Sequence, residues 1–315
     1  MSVVVRSLAI LGQGLIGSSI TRAAGERGLA ATITVTDASD KVRRRVVELG
    51  IGGARVANSN IAAVRDADLV IACVPVGQMG PLAVEIAGHL NPGAILSDVG
   101  SVKDDVVRAV APALPAGVVF VPAHPLAGTE HSGPDHGLAD MFVNRWCILT
   151  PPEGTPAAAI ETVRRFWEGL GARPETMTPS HHDHVLAITS HIPHLIAFSI
   201  FHTALRFEEQ TSSEVMKFSA GGFRDFTRIA SSNPTMWRDI FLANKHAVLA
   251  ILRQFNQDVA EIADAIEKED GEKLFQYFSK SRITRRKVIE KEHISVVASR
   301  EQRVAPLIRP YGSDD

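Results

Sequence analysis

Apolar residues follow two different periods along the chain. In the first half they form short β-branched runs at residues 7–11, 32–36, 68–74, 94–98 and 118–121, with 145–149 a further candidate and helical patterns between. Runs that are apolar at consecutive positions fit strands buried on both faces, hence a parallel sheet with crossover helices. Near Pro179 the pattern changes. From His181 onward there is no strand pattern, and apolar residues recur at helical spacing. Ser232-Asn233-Pro234 opens the clearest helix, with Asn233 as N-cap and Pro234 at the first helical position. Phe241, Val248, Phe255 and Ile262 then recur every seven residues, interleaved with Ile251, Val259 and Ile266. A stripe that long needs a partner helix, which predicts a helical domain that also forms a dimer interface; packing within the chain is the alternative.

Composition narrows the class. At 315 residues two domains of roughly 150 each are expected. With 45% hydrophobic residues and a net charge of -2, the chain is neither a disordered polymer nor the basic protein that nucleic-acid binding favours. Its longest apolar runs, 69–76 and 195–200, fall short of the roughly 20 residues that span a bilayer, so no membrane partner is expected. Cys73 and Cys147 both lie in apolar runs and read as buried thiols of a reducing compartment. The N-terminus leads straight from a Val-rich run into a glycine loop, without a signal-like segment; the expected location is the cytoplasm.

That loop is Gly12-Gln-Gly14-Leu15-Ile16-Gly17, placed between a strand and a helix. A lone GxGxxG is weak, but this context fits a dinucleotide site. Gly12 makes the turn, Gly14 admits a pyrophosphate to the helix N-terminus, and Gly17 lets helix and strand pack closely. Asp37, twenty residues beyond Gly17 at the end of the second strand, can accept from both ribose hydroxyls and would repel a 2'-phosphate. Its other reading is a cap for the turn that follows. NAD is therefore the expected cofactor on a Rossmann-type, mostly parallel α/β domain, with Val74 and Pro75 at a neighbouring strand end. Arg43-Arg44-Arg45 is the one feature that could rescue NADP binding; its first reading is a solvated helix face.

Three later segments bear on chemistry: Asp98-Val-Gly-Ser101-Val-Lys103, His124-Pro-Leu-Ala-Gly128-Thr129-Glu130, and Ser219-Ala-Gly221-Gly222-Phe-Arg-Asp225-Phe-Thr-Arg228-Ile-Ala, the last followed by Trp237. The first two stand at strand ends, on the edge of the sheet where ligands of such folds bind. With Ser190-His191-Ile-Pro-His194 they closely resemble the prephenate/arogenate dehydrogenase family, in particular its stand-alone cyclohexadienyl members, over about residues 7–291. The combination at these separations is specific. The resemblance implies an NAD-binding domain followed by a helical dimerisation and substrate domain, in a homodimer. With the change of pattern near Pro179 these are expected at 1–179 and 180–299, and the tail at 300–315, with Pro306, Pro310 and a Gly-Ser-Asp-Asp end, reads as loose. It also implies oxidative decarboxylation of a cyclohexadienyl acid in tyrosine biosynthesis.

By the same resemblance His124 is the catalytic base, and Ser101 contacts both the reacting hydroxyl and the nicotinamide end. Arg228 grips a substrate carboxylate with Asp225 as its support. His191, Thr129, Glu130, Gly221 and Trp237 line the substrate pocket, while His184 and His194 are structural. The residues alone leave other roles open: a strand-end histidine, a helix N-cap for Ser101, a cap or gate for Glu130, a surface ion pair for Asp225 and Arg228. His181, His182, His184, His191, His194 and Asp183 invite a metal reading, but no HExxH or Cys-containing zinc spacing is present, so no metal is expected. A 3-hydroxyacid dehydrogenase of similar layout usually carries a lysine on the first long helix of its second domain, and residues 181–207 contain none. A non-catalytic NAD sensor would not need His124, Ser101 and Arg228 together.

Overall fold

A computed structural model of the protein describes residues 3–129, 131–211 and 214–304, the last stretch by backbone alone from 289. In β1 (Val5–Leu11), Leu8 and Ile10 enter one core while Ala9 and Leu11 enter another. β2 (Ala30–Thr36) and β3 (Arg55–Val56) follow. In β4 (Leu69–Ala72) the residues divide as in β1: Leu69 and Ile71 go one way, Val70 and Ala72 the other. With cores on both faces every position is apolar, which is why these strands read as unbroken runs. β5 (Ile95–Asp98) and β6 (Val119–Phe120) complete a wholly parallel sheet of order β3-β2-β1-β4-β5-β6. α1 (Leu15–Glu26) and α2 (Asp40–Leu49) cover one face; α3 (Asn60–Val64), α4 (Met79–Ile86) and α5 (Asp104–Val110) cover the other. The order reverses between β1 and β4, which opens a crevice at their carboxyl ends, as in Rossmann-type folds.

The 145–149 run does not extend this sheet. Pro122 has no N–H for the ladder, β6 stops, and the chain turns into a second sheet of β7 (Ala123–Pro125), β8 (Trp146–Leu149) and β9 (Arg173–Thr176). β8 runs antiparallel to β7 and parallel to β9. α6 (Ala157–Gly169) covers it, placing Val163, Phe166 and Trp167 in the same core as α1.

The helical half begins with α7 (Pro179–Leu186), an i→i+5 turn at Ala187–His191, and α8 (Ile192–Thr211). The wide turn comes just before Pro193, whose missing N–H removes one ordinary helical bond. Although each contiguous apolar run is short, Pro179–Thr211 as one helical segment is long and apolar enough by composition to cross a bilayer. Its start is tied to the first half of the chain, since Asp183 is bonded to the backbone at Lys103 and Asp104. α9 (Gly221–Thr227) and α10 (Pro234–Ala243) follow, and the Asn233 side chain caps α10 by accepting from the N–H groups of Thr235 and Met236. The seven-residue stripe does not lie on one helix. The chain leaves helical geometry at Asn244 before α11 (Lys245–Glu267), because that side chain is used elsewhere (below).

The chain folds as two compact units, Met1–Ile251 and Leu252–Asp315. The second holds the end of α11 and α12 (Gly271–Val304), separated by Glu269 at a positive φ of 53°. Its apolar positions include Val259, Ile266, Phe275 and Phe278, all exposed. Residues 300–304 of the expected tail are helical, and 305–315 lie outside the described residues.

Among the glycines the tightest position is Gly17, where a Cβ would sit 1.9 Å from the Gly12 carbonyl oxygen; at Gly14 a Cβ would meet nothing within 4 Å. Gly17→Ala must push α1 off the loop, and overpacking of this kind costs about 1–3 kcal/mol. Its thermal midpoint is expected to fall by several degrees, while Gly14→Ala melts like the wild type. Superimposable melts for Gly17→Ala and wild type would show that helix and loop are not in contact.

Candidate active site

The crevice beyond β1 and β4 holds a cavity of about 700 Å³, within the range of small-molecule sites. One wall is the glycine loop. Gly12 sits at φ 94°, and Gly14 is the N-cap of α1 without a capping side chain, so the first N–H groups of the helix face the cavity at Leu15, Ile16 and Gly17. Unpaired N–H groups at the positive end of a helix suit a pyrophosphate, and the open space at Gly14 admits one. Val74 and Pro75 adjoin them.

Asp37 stands beside the loop at the end of β2. Its Oδ2 accepts from Gln13 N at 2.8 Å and its Oδ1 from Ser39 N at 2.9 Å, so it fixes the loop and the following turn together. A carboxylate has about four acceptor positions, which leaves capacity for ribose hydroxyls. Of the three arginines, Arg44 is exposed as expected and Arg45 is partly so. Arg43 is tucked against the Asp37 carbonyl and Asp40, and Arg45 pairs with Asp135 and Glu48.

The facing wall carries Ser101 and His124. Ser101 does not cap a helix, because α5 starts later, at Asp104. The Asp183 carboxylate takes that place, accepting from Lys103 N at 2.8 Å and Asp104 N at 2.9 Å. His124 is not past a strand end but at the centre of β7, opposite Ile148. Beneath it lies a fully buried ion pair, Lys103 Nζ to Asp98 Oδ2 at 2.5 Å. Lys103 Nζ also donates to the Ala123 carbonyl, and Asp98 accepts from Ala123 N and Gly100 N. Behind His124, its Nδ1 lies 2.8 Å from His182 Nε2, and His182 Nδ1 lies 2.8 Å from Asp183 Oδ1. Burial pushes the His124 pKa well below its usual value, and the nearby His182, Lys103 and His191 add to the effect. His182 is lowered too, chiefly by burial.

The third wall comes from the first turns of α10: Asn233, Thr235, Met236, Asp239 and Ile240. Trp237 points the other way into a small core with Val102 and Ile240 and stacks on His194 at 3.8 Å between centroids. His191, expected on the substrate side, is not on the cavity wall. It is 1% exposed, with Nδ1 facing Asn244 Nδ2 at 3.1 Å, and burial lowers its pKa to about 4. His194, expected to be structural, is the histidine whose pKa the charge of Arg228 helps to lower, after burial. Thr129 lines the cavity; Arg228, Asp225 and Gly221 are exposed on α9 and the turn after it, off the cavity wall; Glu130 lies outside the described residues. Among the described residues no three metal-ligating side chains converge.

Sequence reasoning missed Lys103, His182, Asp183 and Asn244. Asn244 Nδ2 donates to the Asp183 carbonyl as well as facing His191, which is why α10 ends there. The adjacent His182-Asp183 pair was a usable signal, obscured by the metal reading of the same cluster.

Two family models match in order: the prephenate dehydrogenase nucleotide-binding domain over residues 20–176 and the prephenate dehydrogenase dimerization domain over 178–280. The chain is 43% identical to a cyclohexadienyl dehydrogenase of Zymomonas mobilis, covering 90% of this chain and 96% of that one. It is 37% identical to a prephenate dehydrogenase of Bacillus subtilis, over 86% and 73%. A crystal structure of prephenate dehydrogenase from A. aeolicus with hydroxyphenyl propionate and NAD+ superimposes with a TM-score of 0.84 at 33% identity, covering 91% of this chain and 99% of that one. Matched along nearly its whole length in sequence and in fold, the chain belongs to the prephenate dehydrogenase family.

Proposed function

We propose that the chain catalyses NAD-dependent oxidative decarboxylation of prephenate, arogenate or both, giving 4-hydroxyphenylpyruvate or tyrosine. It does so as a cytoplasmic homodimer in tyrosine biosynthesis. The observation that carries this is His124 on the wall of the same cavity that the open N-terminus of α1 enters. The exposed apolar positions of the second unit and the match to a dimerization domain support the dimer; two free thiols, Cys73 and Cys147, support a reducing compartment.

Gly14, Leu15, Ile16 and Gly17 hold the pyrophosphate, Asp37 the ribose hydroxyls, and Val74 and Pro75 the adjoining wall. The cofactor, when bound, supplies the hydride acceptor for C4 of the ring. His124 Nε2 takes the proton of the 4-hydroxyl, and Ser101 orients that hydroxyl. Thr129 lines the substrate side. Arg228, supported by Asp225 and set near the His194–Trp237 stack, binds a substrate carboxylate through two parallel donors. Carbon dioxide leaves as the ring becomes aromatic, so that step needs orientation more than a further acid.

The test is NADH formation by the purified protein with prephenate and with arogenate in turn, repeated with His124→Asn. Wild type should turn over at least one of them, and the variant should lose roughly 10²- to 10⁴-fold in kcat, typical of a missing general base. Turnover of neither substrate sinks the function; near-normal turnover by the variant sinks the base.

The base works unprotonated, and burial holds its pKa well below about 6.5. Turnover should therefore stay level from neutral pH down past about 6.5 and decline only at lower pH. Stability behaves differently. His124, His182, His191 and His194 all have lowered pKa values in the fold, so below about 6.5 the unfolded chain binds protons that the fold refuses. The thermal midpoint should drop as pH falls from about 6.5 toward the His191 value of about 4. A midpoint flat across that window would contradict the buried neutral cluster.

Arg228→Ala should raise KM for substrate by roughly tenfold or more, a lost hydrogen bond to a charged group typically costing ~1.5–3 kcal/mol. Affinity for NAD+ should hardly change. Equal weakening of both ligands would give Arg228 a structural role instead.

A further inference from the structure

His182 and Asp183 are buried against the proposed base, yet neither reaches the cavity. Their hydrogen bonds have a direction that can be worked out. Asp183 Oδ1 already accepts from Lys103 N, and its Oδ2 accepts from Asp104 N. An ionised carboxylate has no proton to give, so at the 2.8 Å contact with His182 Nδ1 the ring is the donor. A neutral imidazole carries only one N–H, and burial keeps His182 neutral. Its Nε2 is therefore a bare lone pair. It faces His124 Nδ1 at 2.8 Å, and that contact requires a proton on His124 Nδ1.

We propose that His182, oriented by Asp183, is a positioning residue that fixes His124 in the Nδ1–H tautomer, with the Nε2 lone pair free toward the cavity. This rests on the reading of His124 as the base. In the opposite tautomer Nε2 would carry the proton and could not accept the substrate's. When the substrate O–H bond breaks and the proton bonds to Nε2, the imidazolium keeps donating Nδ1–H to His182. His182 keeps its own proton on Nδ1 toward Asp183, so no second proton has to move. Lys103, paired with Asp98, and His191 are the other nearby groups whose charge disfavours the imidazolium.

The test uses the full-length protein labelled with ¹⁵N-histidine, the His124 signals being assigned by their loss in His124→Asn. In the wild type, the chemical shifts should report a proton on Nδ1 and a bare Nε2. His182→Leu, which offers no acceptor, should release the tautomer toward Nε2–H and lower kcat by about 10²-fold or more, with KM for both ligands within about threefold. His182→Gln keeps an oxygen acceptor on a side chain of similar reach and should recover at least about tenfold of that loss. A wild-type His124 protonated on Nε2 overturns the proposal whether or not the Leu variant folds, and so does undiminished kcat in His182→Leu. These outcomes are separate from failure of the base itself, which normal turnover by His124→Asn would reveal.

Discussion

Lys103 and Asp98 form an ion pair without solvent contact, and the rest of the site is arranged around it. Removing two charges from water costs several kcal/mol per ion, repaid only when further hydrogen bonds complete the geometry. Here they do. Asp98 accepts from the N–H of Ala123, and Lys103 donates to the same residue's carbonyl. Both backbone groups of the residue before His124 are thus held by charges that cannot be satisfied elsewhere. The backbone of Lys103 makes the other half of the junction, since its N–H goes to Asp183 on α7. One residue therefore ties together the edge of the parallel sheet, the short strand that carries the proposed base, and the first helix of the helical half. Breaking such a pair by removing one partner typically costs 3–5 kcal/mol, which makes the arrangement rigid more than it makes it stable.

The cofactor side follows a different logic. Positive potential there comes from backbone N–H groups at the start of α1, not from side chains, so it costs no buried lysine or arginine. The glycines make this possible by removing Cβ atoms where Gly12 and Gly17 touch and by leaving open space at Gly14, where the proposed site admits a pyrophosphate. Asp37 bonds Gln13 N within that loop, so the residue expected to contact the ribose also sets the shape of the loop that meets the pyrophosphate.

Much of this was legible in the sequence, for reasons that differ between elements. β1 and β4 bury both faces, so their period is unmistakable; GxGxxG and Asp37 are fixed by backbone approach and charge. Asn233-Pro234 announced α10 because both residues act locally. What stayed hidden depends on contacts distant in sequence. β7 is three residues long and contains Pro125, and β9 contains Pro174, so neither carries a strand pattern. Lys103 reads as a surface lysine until a carboxylate five residues earlier is found buried against it. His191 and His194 stand three apart on one helical turn, and no period says which faces the core; the wide turn at 187–191 shifts the phase just before them. Asn244 interrupts a seven-residue stripe that looked continuous, since a cap is decided by what its side chain finds across the domain, here Asp183 and His191.

For His124 as the proposed base, depressed basicity looks at first like a handicap, because a weaker base accepts a proton less readily. The reaction removes the difficulty. As hydride leaves C4, positive charge builds on the carbon that carries the hydroxyl, and the O–H becomes far more acidic than in the bound substrate. A base matched to that developing charge need not be strong in the ground state; it must be unprotonated, held in one tautomer, and aimed. Burial supplies the first condition, and the chain from Asp183 through His182 is suited to the others. The apolar surroundings that lower the pKa also remove water that would compete for the hydroxyl. In such a site the electrostatic gain appears mainly in the transition state, where lowering the barrier raises kcat without tightening substrate binding.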